Sequence, residues 1–403
     1  MTRALLIAAP ASGQGKTTIT CALAWRLRRE GQRVRAFKVG PDFIDPGFLE
    51  AATGAPADPL DLWMVGPADC ARQLAAASRE ADWVLVEAAM GLYDGAPSAA
   101  DLAEAFGLPV LAVIDAHALA QTFGALALGL RQYRHDLRWA GVLANRVAGP
   151  GHAQMLRESL GDALPWLGHA IDSPATLPQR HLGLVQAQEI RGLALVLEHL
   201  AEALVIDVDG WRGVPHWTPP AAASTGRPVR GLQGRTIAIA RDDAFSFCYA
   251  ANLRALEDLG ADLCFFSPLA GEPVPAHAHA LYLPGGYPEL HAARLAAHLS
   301  LKASLRAFHE AGRPIVAECG GLMLCAAGLC DLQGRRHAMA GLLPLEVEIA
   351  DRPQAVGLQA WPDHEGGLRG HAFHYGRASR ADGAAPAFHT VPHRWGAPEP
   401  VWR

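Results

Sequence analysis

The chain has 403 residues, half of them hydrophobic, and a net charge of −5 with histidine counted neutral. That is enough apolar material for two filled cores, and the charge is too balanced for a nucleic-acid groove or a solvating tail. No run of about 20 apolar residues is present to span a membrane, the apolar stretch after the first arginine is too short for the core of a signal peptide, and seven scattered cysteines without a CxxC pair read as reduced thiols of a cytoplasmic protein, not as a disulfide frame or a zinc site.

The first half alternates short apolar runs with amphipathic stretches. Ala4–Ala9 (ALLIAA), Val34–Val39, Trp83–Ala88, Pro109–Asp115 and Ala140–Asn145 read as buried strands. Thr17–Glu30 and Leu119–Tyr133 read as helices between them. Continuous apolar strands alternating with helices predict an α/β fold whose parallel sheet is covered on both faces. Residues 212–234 are dense in Pro, Gly, Ser and Thr and read as a linker, which gives a first domain at 1–211 and a second at 235–403. In the second, Thr236–Ala240, Leu263–Phe266, Ala280–Leu283 and Pro314–Ala317 read as strands and Phe245–Gly260 as a helix, so it is a second α/β unit.

Between the first strand and the first helix lies Pro10-Ala11-Ser12-Gly13-Gln14-Gly15-Lys16-Thr17-Thr18. Small residues let backbone N–H groups turn inward on a phosphate, and the helix N-terminus adds donors and a positive dipole end. Lys16 is placed to reach the β- and γ-phosphates and the Thr17 hydroxyl to bind Mg²⁺. The first glycine of the strict phosphate-loop pattern is replaced by Pro10. Acids gather at strand ends, where ligands of a doubly wound sheet bind. They are Asp42 and Asp45 after the second strand, Glu87 at the end of WVLVE, and Asp94 in MGLYDG. Glu87 leads as a metal ligand, with Asp42 and Asp45 next. Asn145 closes its strand and is open to two roles, reading an adenine edge or making an Asx turn.

In the second unit, strand Pro314–Ala317 runs into Glu318-Cys319-Gly320-Gly321 and a helix. This is the layout of a nucleophile on a strand-to-helix elbow, where the helix N-terminus favours a thiolate and the Gly320 N–H is placed for an oxyanion. The pair Gly285-Gly286, after strand ALYL, supplies a second donor, with Gly286 the expected one. A thiol nucleophile needs a base, usually histidine. His371, His374, His389 and His393 all remain open for that role.

Taken together, ASGQGKTT, FKVGPDFIDPGFLE, LDLWM, EAAMGLYDG, GALALGL, GVLANRV, RHLGLVQA, RDDAFSFCYAANL, LPGGYPE, AECGGLM and RGHAFHY resemble, in order and over nearly the whole chain, the cobyrinate/hydrogenobyrinate a,c-diamide synthase family. The resemblance implies an N-terminal ATP-dependent amidoligase domain similar to dethiobiotin synthetase and MinD, and a C-terminal domain similar to class I glutamine amidotransferases. It implies that Cys319 attacks glutamine, that a corrin acid is activated by MgATP at its a- and c-acetates, and that Asp42, Glu87 and Asp94 bear on the ligase step. Gly13, Gln14, Gly15, Lys16, Thr17, Thr18 and Asn145 are then the ATP-binding set, and Thr17, Asp45 and Glu87 the Mg²⁺ set. The partners it implies are small molecules (corrin acid, ATP, glutamine), without nucleic acid or membrane, with a homodimer open as the assembly.

Two departures stand out. Family members read Glu-Gly where this chain has Glu87-Ala88, and they carry a terminal S-Y-x-H segment with the activating histidine, which this sequence lacks. The expectations are a truncated chain, an impaired glutaminase or a substitute among His371, His374 and His393. The rival activities are those of cobyric acid synthase, nickel-sirohydrochlorin a,c-diamide synthase, an ammonia-dependent ligase, and a MinD- or ParA-like switch ATPase.

Overall fold

Strands buried on both faces need helices on both faces, and the first half of the chain folds accordingly. The structure is a computed structural model that describes residues 2–162, 164–173, 177, 179–180, 183–221, 229–361, 367–380, 383, 385–402. The chain divides into two compact units, Met1–Ser224 and Thr225–Arg403.

In unit 1 the strands are β1 (Arg3–Ala8), β2 (Val34–Val39), β3 (Asp58–Leu60), β4 (Trp83–Glu87), β5 (Val110–Asp115), β6 (Trp139–Val147), β7 (Trp166–Ile171), a short ribbon of β8 (Gln179–Arg180) with β9 (Gly183–Leu184), and β10 (Leu204–Ile206). Its helices are α1 (Lys16–Arg29), α2 (Asp45–Thr53), α3 (Pro67–Glu80), α4 (Ala99–Phe106), α5 (Thr122–Tyr133), α6 (Pro150–Leu160), α7 (Leu193–Glu202) and α8 (Val208–Arg212). The eight-stranded sheet runs β10-β7-β6-β5-β1-β4-β2-β3 and is parallel except for β10. Ala4 to Ala8 of β1 are wholly buried, with β4 and β5 on either side. Clusters built from Leu5, Ile7 and Leu23, and from Leu6, Val84 and Leu102, fill the two faces. The C-terminal ends of β1, β2, β4, β5 and β6 therefore share one edge, and the candidate residues of unit 1 follow or occupy those ends.

Unit 2 begins with a parallel four-stranded sheet, β12-β11-β13-β14, of β11 (Thr236–Ala240), β12 (Asp262–Phe266), β13 (Ala280–Leu283) and β14 (Ile315–Ala317). Helices α9 (Ala250–Asp258), α10 (Ala292–Ala297), α11 (Leu299–Glu310) and α12 (Gly320–Cys325) accompany it. A second sheet joins β15 (Gly328–Cys330), β16 (Arg336–Ala338), β17 (Leu345–Ile349) and β20 (Gly376–Arg380). A third joins β18 (Ala355–Trp361), β19 (Leu368–His374) and β22 (Val391–Pro392), and β21 (Phe388–His389) pairs β23 (Pro400–Val401).

Two expectations change. The helix read at Phe245–Gly260 starts only at Ala250, because Phe247 instead pairs its backbone with Gly285 and Phe245 is buried beside Gly286. Asn145 does not close its strand, since β6 continues to Val147 through a register break and an Arg146 with φ of 54°. Within the segment read as a linker, Val214 and Trp217 are buried, and the Trp217 indole donates to Phe106 O at 2.9 Å. Residues 222–228 of that segment and 181–182 of RHLGLVQA lie outside the described residues.

Helices α5 and α6 approach at Gly124, where an added Cβ would stand 2.0 Å from Ser159 O. Gly124→Ala must push the two helices apart, and overpacking of this kind costs about 1–3 kcal/mol. Urea unfolding should show that loss, and a variant as stable as the parent would show the contact to be soft.

Candidate active sites

Unit 1 builds its site on the shared sheet edge. Gly13 and Gly15 of the loop after β1 have φ of 78° and 89°, left-handed values that glycine adopts without strain. Gly15 is doubly constrained, since a Cβ there would lie 2.1 Å from Asn145 Nδ2. That amide donates to Gln14 O at 3.0 Å, while Asn145 Oδ1 accepts the Arg146 N–H at 2.9 Å. Asn145 thus braces the loop, and Gln14 Oε1 accepts the Asp115 N–H at 2.9 Å. Thr18 is half-buried in the first turn of α1.

Lys16 is buried and donates to Ala11 O at 3.1 Å and Met90 O at 2.5 Å, which spans the phosphate loop and the loop after β4. Burial lowers its pKa, and the nearby Lys38 pushes the same way against Glu87, Asp45 and Asp94. Asp94 is exposed and accepts the Gly91 N–H at 2.9 Å.

At the centre stands Glu87, with no exposure. Its Oε1 accepts from Thr17 Oγ1 at 2.6 Å and from Lys38 Nζ at 2.7 Å. Its Oε2 is buried and has no hydrogen-bond partner. Asp45 Oδ2 accepts from Lys38 Nζ at 2.5 Å and from Thr17 Oγ1 at 3.3 Å. Asp42 Oδ1 caps α2 through the N–H groups of Ile44 and Asp45, and its Oδ2 lies 3.9 Å from Lys38 Nζ. Desolvation lifts the Glu87 carboxyl to about 7 against the pull of Lys38, and lifts Asp42 to about 6 with help from Asp45. Thr17, Asp42, Asp45 and Glu87 thus gather around Lys38, whereas Asp94 is linked to this group only through its charge on Lys16. Lys38 went unnoticed in the sequence, although a lysine inside the apolar run AFKV is a visible signal of a buried cation.

In unit 2, Cys319 sits on the turn from β14 to α12 with φ of 49°, a strained value for a residue with a Cβ. Close packing demands the flanking glycines. A Cβ on Gly286 would meet Ala244 O at 2.0 Å, and one on Gly321 would meet Leu283 O at 2.0 Å. A Cβ on Gly320 would stand 3.1 Å from Gly286 N, so these two backbones converge. Both donate N–H bonds that favour the Cys319 thiolate, yet burial and the charge of Glu289 outweigh them and push the thiol up to about 11. No histidine of the described residues ranks among the main influences on that thiol.

The candidate histidines lie in the later sheets. His371 pairs with Leu358, whose carbonyl accepts the His393 N–H, and burial lowers the His371 pKa. His389 is in β21. His374 is held at both nitrogens, by Gly376 O and by Glu399 Oε2, each at 2.8 Å. A Cβ on Gly376 would lie 2.9 Å from Met323 Cε of α12, so the β19–β20 turn flanks the elbow helix. Sequence reading also missed the T-shaped pair Phe247–Tyr287 beside the glycine pair and the Tyr282 hydroxyl on Glu318, at 2.8 Å.

A phosphate loop on a parallel sheet, joined in one chain to a thiol on an elbow, defines a glutamine-using carbon–nitrogen ligase. Residues 5–181 match the CobQ/CobB/MinD/ParA nucleotide binding domain and residues 236–398 the CobB/CobQ-like glutamine amidotransferase domain. The chain is 49% identical to a cobyrinate a,c-diamide synthase of Herminiimonas arsenicoxydans, over 94% of this chain and 86% of that protein. It is 51% identical to a hydrogenobyrinate a,c-diamide synthase of Stutzerimonas stutzeri (92% and 86% covered) and 50% identical to that of Pseudomonas aeruginosa (92% and 85%). The chain belongs to the cobyrinate/hydrogenobyrinate a,c-diamide synthase family. All seven cysteines are free thiols, and no helix of the described residues is long and apolar enough to cross a membrane.

Two pH responses follow. Iodoacetamide should alkylate Cys319 slowly near neutral pH and about tenfold faster per pH unit until the thiol is ionised, read by mass spectrometry of its peptide; a rate already flat by about pH 8 would contradict the raised value. Glu399 raises the His374 pKa. A raised folded value means that the pair's stabilisation is full below about 6.5 and is lost as pH rises through the folded value. Melting temperature should accordingly fall with rising pH across that window, and Glu399→Gln should flatten the dependence.

Proposed function

We propose that this protein amidates the a- and c-acetate carboxylates of cobyrinate or hydrogenobyrinate, using ATP and the amide nitrogen of glutamine. Residues 1–211 are the ligase and 235–403 the glutaminase, joined by 212–234. In the ligase, an oxygen of the acetate attacks the γ-phosphorus and ADP leaves, giving an acyl phosphate. Ammonia then attacks the acyl carbon and inorganic phosphate departs. Backbone N–H groups of Gly13, Gln14, Gly15, Thr17 and Thr18 cradle phosphate oxygens, and Lys16 neutralises them as charge moves to the β–γ bridge. Asp42 and Asp94 flank the place where the acid and ammonia meet. In the glutaminase, Cys319 Sγ attacks the amide carbon while Gly286 and Gly320 N–H groups receive the oxyanion. Ammonia leaves, and water releases glutamate from the thioester.

The observation that carries the ligase reading is the oxygen set around Glu87. Its Oε2 is buried without a partner, and Thr17 Oγ1 and Asp45 Oδ2 adjoin the same carboxylate. Mg²⁺ takes few protein ligands and completes its shell with phosphate and water, so this hydroxyl and these two carboxylates fit it. The ion, when bound, offsets the charge that builds on the transferred phosphoryl group. ATP as co-substrate and reduced thiols agree with a cytoplasmic reaction.

Lys16→Ala should abolish amidation with glutamine and with ammonia alike. Cys319→Ala should cut glutamine-dependent turnover by about a thousandfold or more while sparing ammonia-dependent turnover. Mass spectrometry of the corrin product should show two added amides and no more. Glutamine-dependent turnover that survives loss of Cys319 would refute the thiol assignment, and a wild type that uses ammonia but never glutamine would reduce the activity to the ligase half.

A further inference from the structure

Lys38 has no place in the steps above, yet it occupies their centre. It is the next-to-last residue of β2, 3% exposed, between the buried Phe37 and Val39. Its ammonium contacts Asp45 Oδ2 at 2.5 Å and Glu87 Oε1 at 2.7 Å. These are the same two oxygens that Thr17 Oγ1 meets at 3.3 and 2.6 Å. The ammonium therefore shares Asp45 Oδ2 with the set assigned above to the metal and holds the other oxygen of Glu87, and the inference rests on that assignment.

Two carboxylates that share a desolvated site repel each other and demand a cation whether or not nucleotide is bound. An ammonium meets the demand with three donors and one charge. A divalent ion at about 2.1 Å from the shared Asp45 oxygen would stand close enough to the ammonium for the two cations to repel each other. A second acceptor waits close by. Asp42 Oδ2 is 3.9 Å from Lys38 Nζ, and its partner oxygen Oδ1 is fixed by the N–H groups of Ile44 and Asp45.

We propose that Lys38 is a stand-in for the divalent cation: without nucleotide it holds Asp45 and Glu87 in place, and when MgATP binds it yields their oxygens to the metal and pairs with Asp42. The site then keeps its oxygens oriented in both states, and free Mg²⁺ competes poorly until nucleotide phosphates add their own oxygens. A lysine that served only as a permanent buried ion pair would stay put, and its removal would weaken the metal site or leave it unchanged.

The test is titration calorimetry of MgCl₂ into the nucleotide-free full chain, as wild type, Lys38→Met and Lys38→Arg. The stand-in role requires Lys38→Met to bind Mg²⁺ at least tenfold more tightly than the wild type, and to gain more in melting temperature from added Mg²⁺. Lys38→Arg should remain close to the wild type. Equal or weaker binding by Lys38→Met overturns the proposal. Should that variant not fold, the wild type decides. A crystal structure with Mg²⁺ and a non-hydrolysable ATP analogue should show Lys38 Nζ beyond hydrogen-bond reach of Glu87 Oε1 and next to Asp42, whereas an unmoved ammonium overturns the role. If the wild type takes up no Mg²⁺ even with the analogue, the metal assignment itself falls and the stand-in with it; if it does, and Lys38→Met shows no gain, the stand-in alone falls.

Discussion

A carboxylate with no solvent exposure at the end of a central strand has to be given a cation and donors, or it does not stay charged. Glu87 receives them from its neighbours in the sheet. β2 lies beside β4 in a register that pairs Lys38 with Glu87, and β1 lies on the other side with Ile7 opposite the same residue. β1 then leads into the loop that places Thr17 on Glu87 Oε1. The strand order β1-β4-β2 is thus what assembles hydroxyl, carboxylates and ammonium from residues 17, 38, 45 and 87. Moving β4 out from between β1 and β2 would separate Glu87 from the hydroxyl or from the ammonium that neutralises it.

Unit 2 solves its problem with backbone and not with charge. Cys319 is held in a left-handed conformation, and the glycines around it are fixed by contacts that leave no volume for a methyl group. The gain is two N–H groups converging on one sulfur. The cost is a desolvated thiol near Glu289, displaced to about 11. Burial and the charge of Glu289 keep the proton on this thiol, so it ionises readily only where a base takes that proton. The Glu399–His374 pair beside α12's flank belongs to the same unit but does not count among the main influences on the thiol.

Much of this was legible in the sequence because it is local. Ala4–Ala9 followed by a small-residue loop and Lys16 announces a strand, a phosphate loop and a helix, since apolar continuity and glycine placement act over a dozen residues. The elbow at Cys319 was readable for the same reason, and acids at strand ends could be collected by the rule that places ligands there. The miss at Phe245–Tyr249 has a plain cause. Its helical spacing was overridden by pairing with Gly285, a residue about forty positions away.

What only the tertiary structure decided concerns partners distant in the chain. Residue type and local spacing determined that a phosphate loop, a cluster of acids and a thiol elbow exist. Strand order decided that Lys38 faces Glu87, and contacts with distant residues, among them Thr2 and Phe106, decided that Val214 and Trp217, in a stretch rich in Pro and Gly, are buried. Tertiary contact also gave Asn145 its work of bracing Gln14, and His374 an acid at residue 399. The physical reason is that local structure depends on backbone sterics and periodicity, which a short window contains, whereas the state of a buried charge or amide depends on whichever side chain is within about 3 Å, which no window contains.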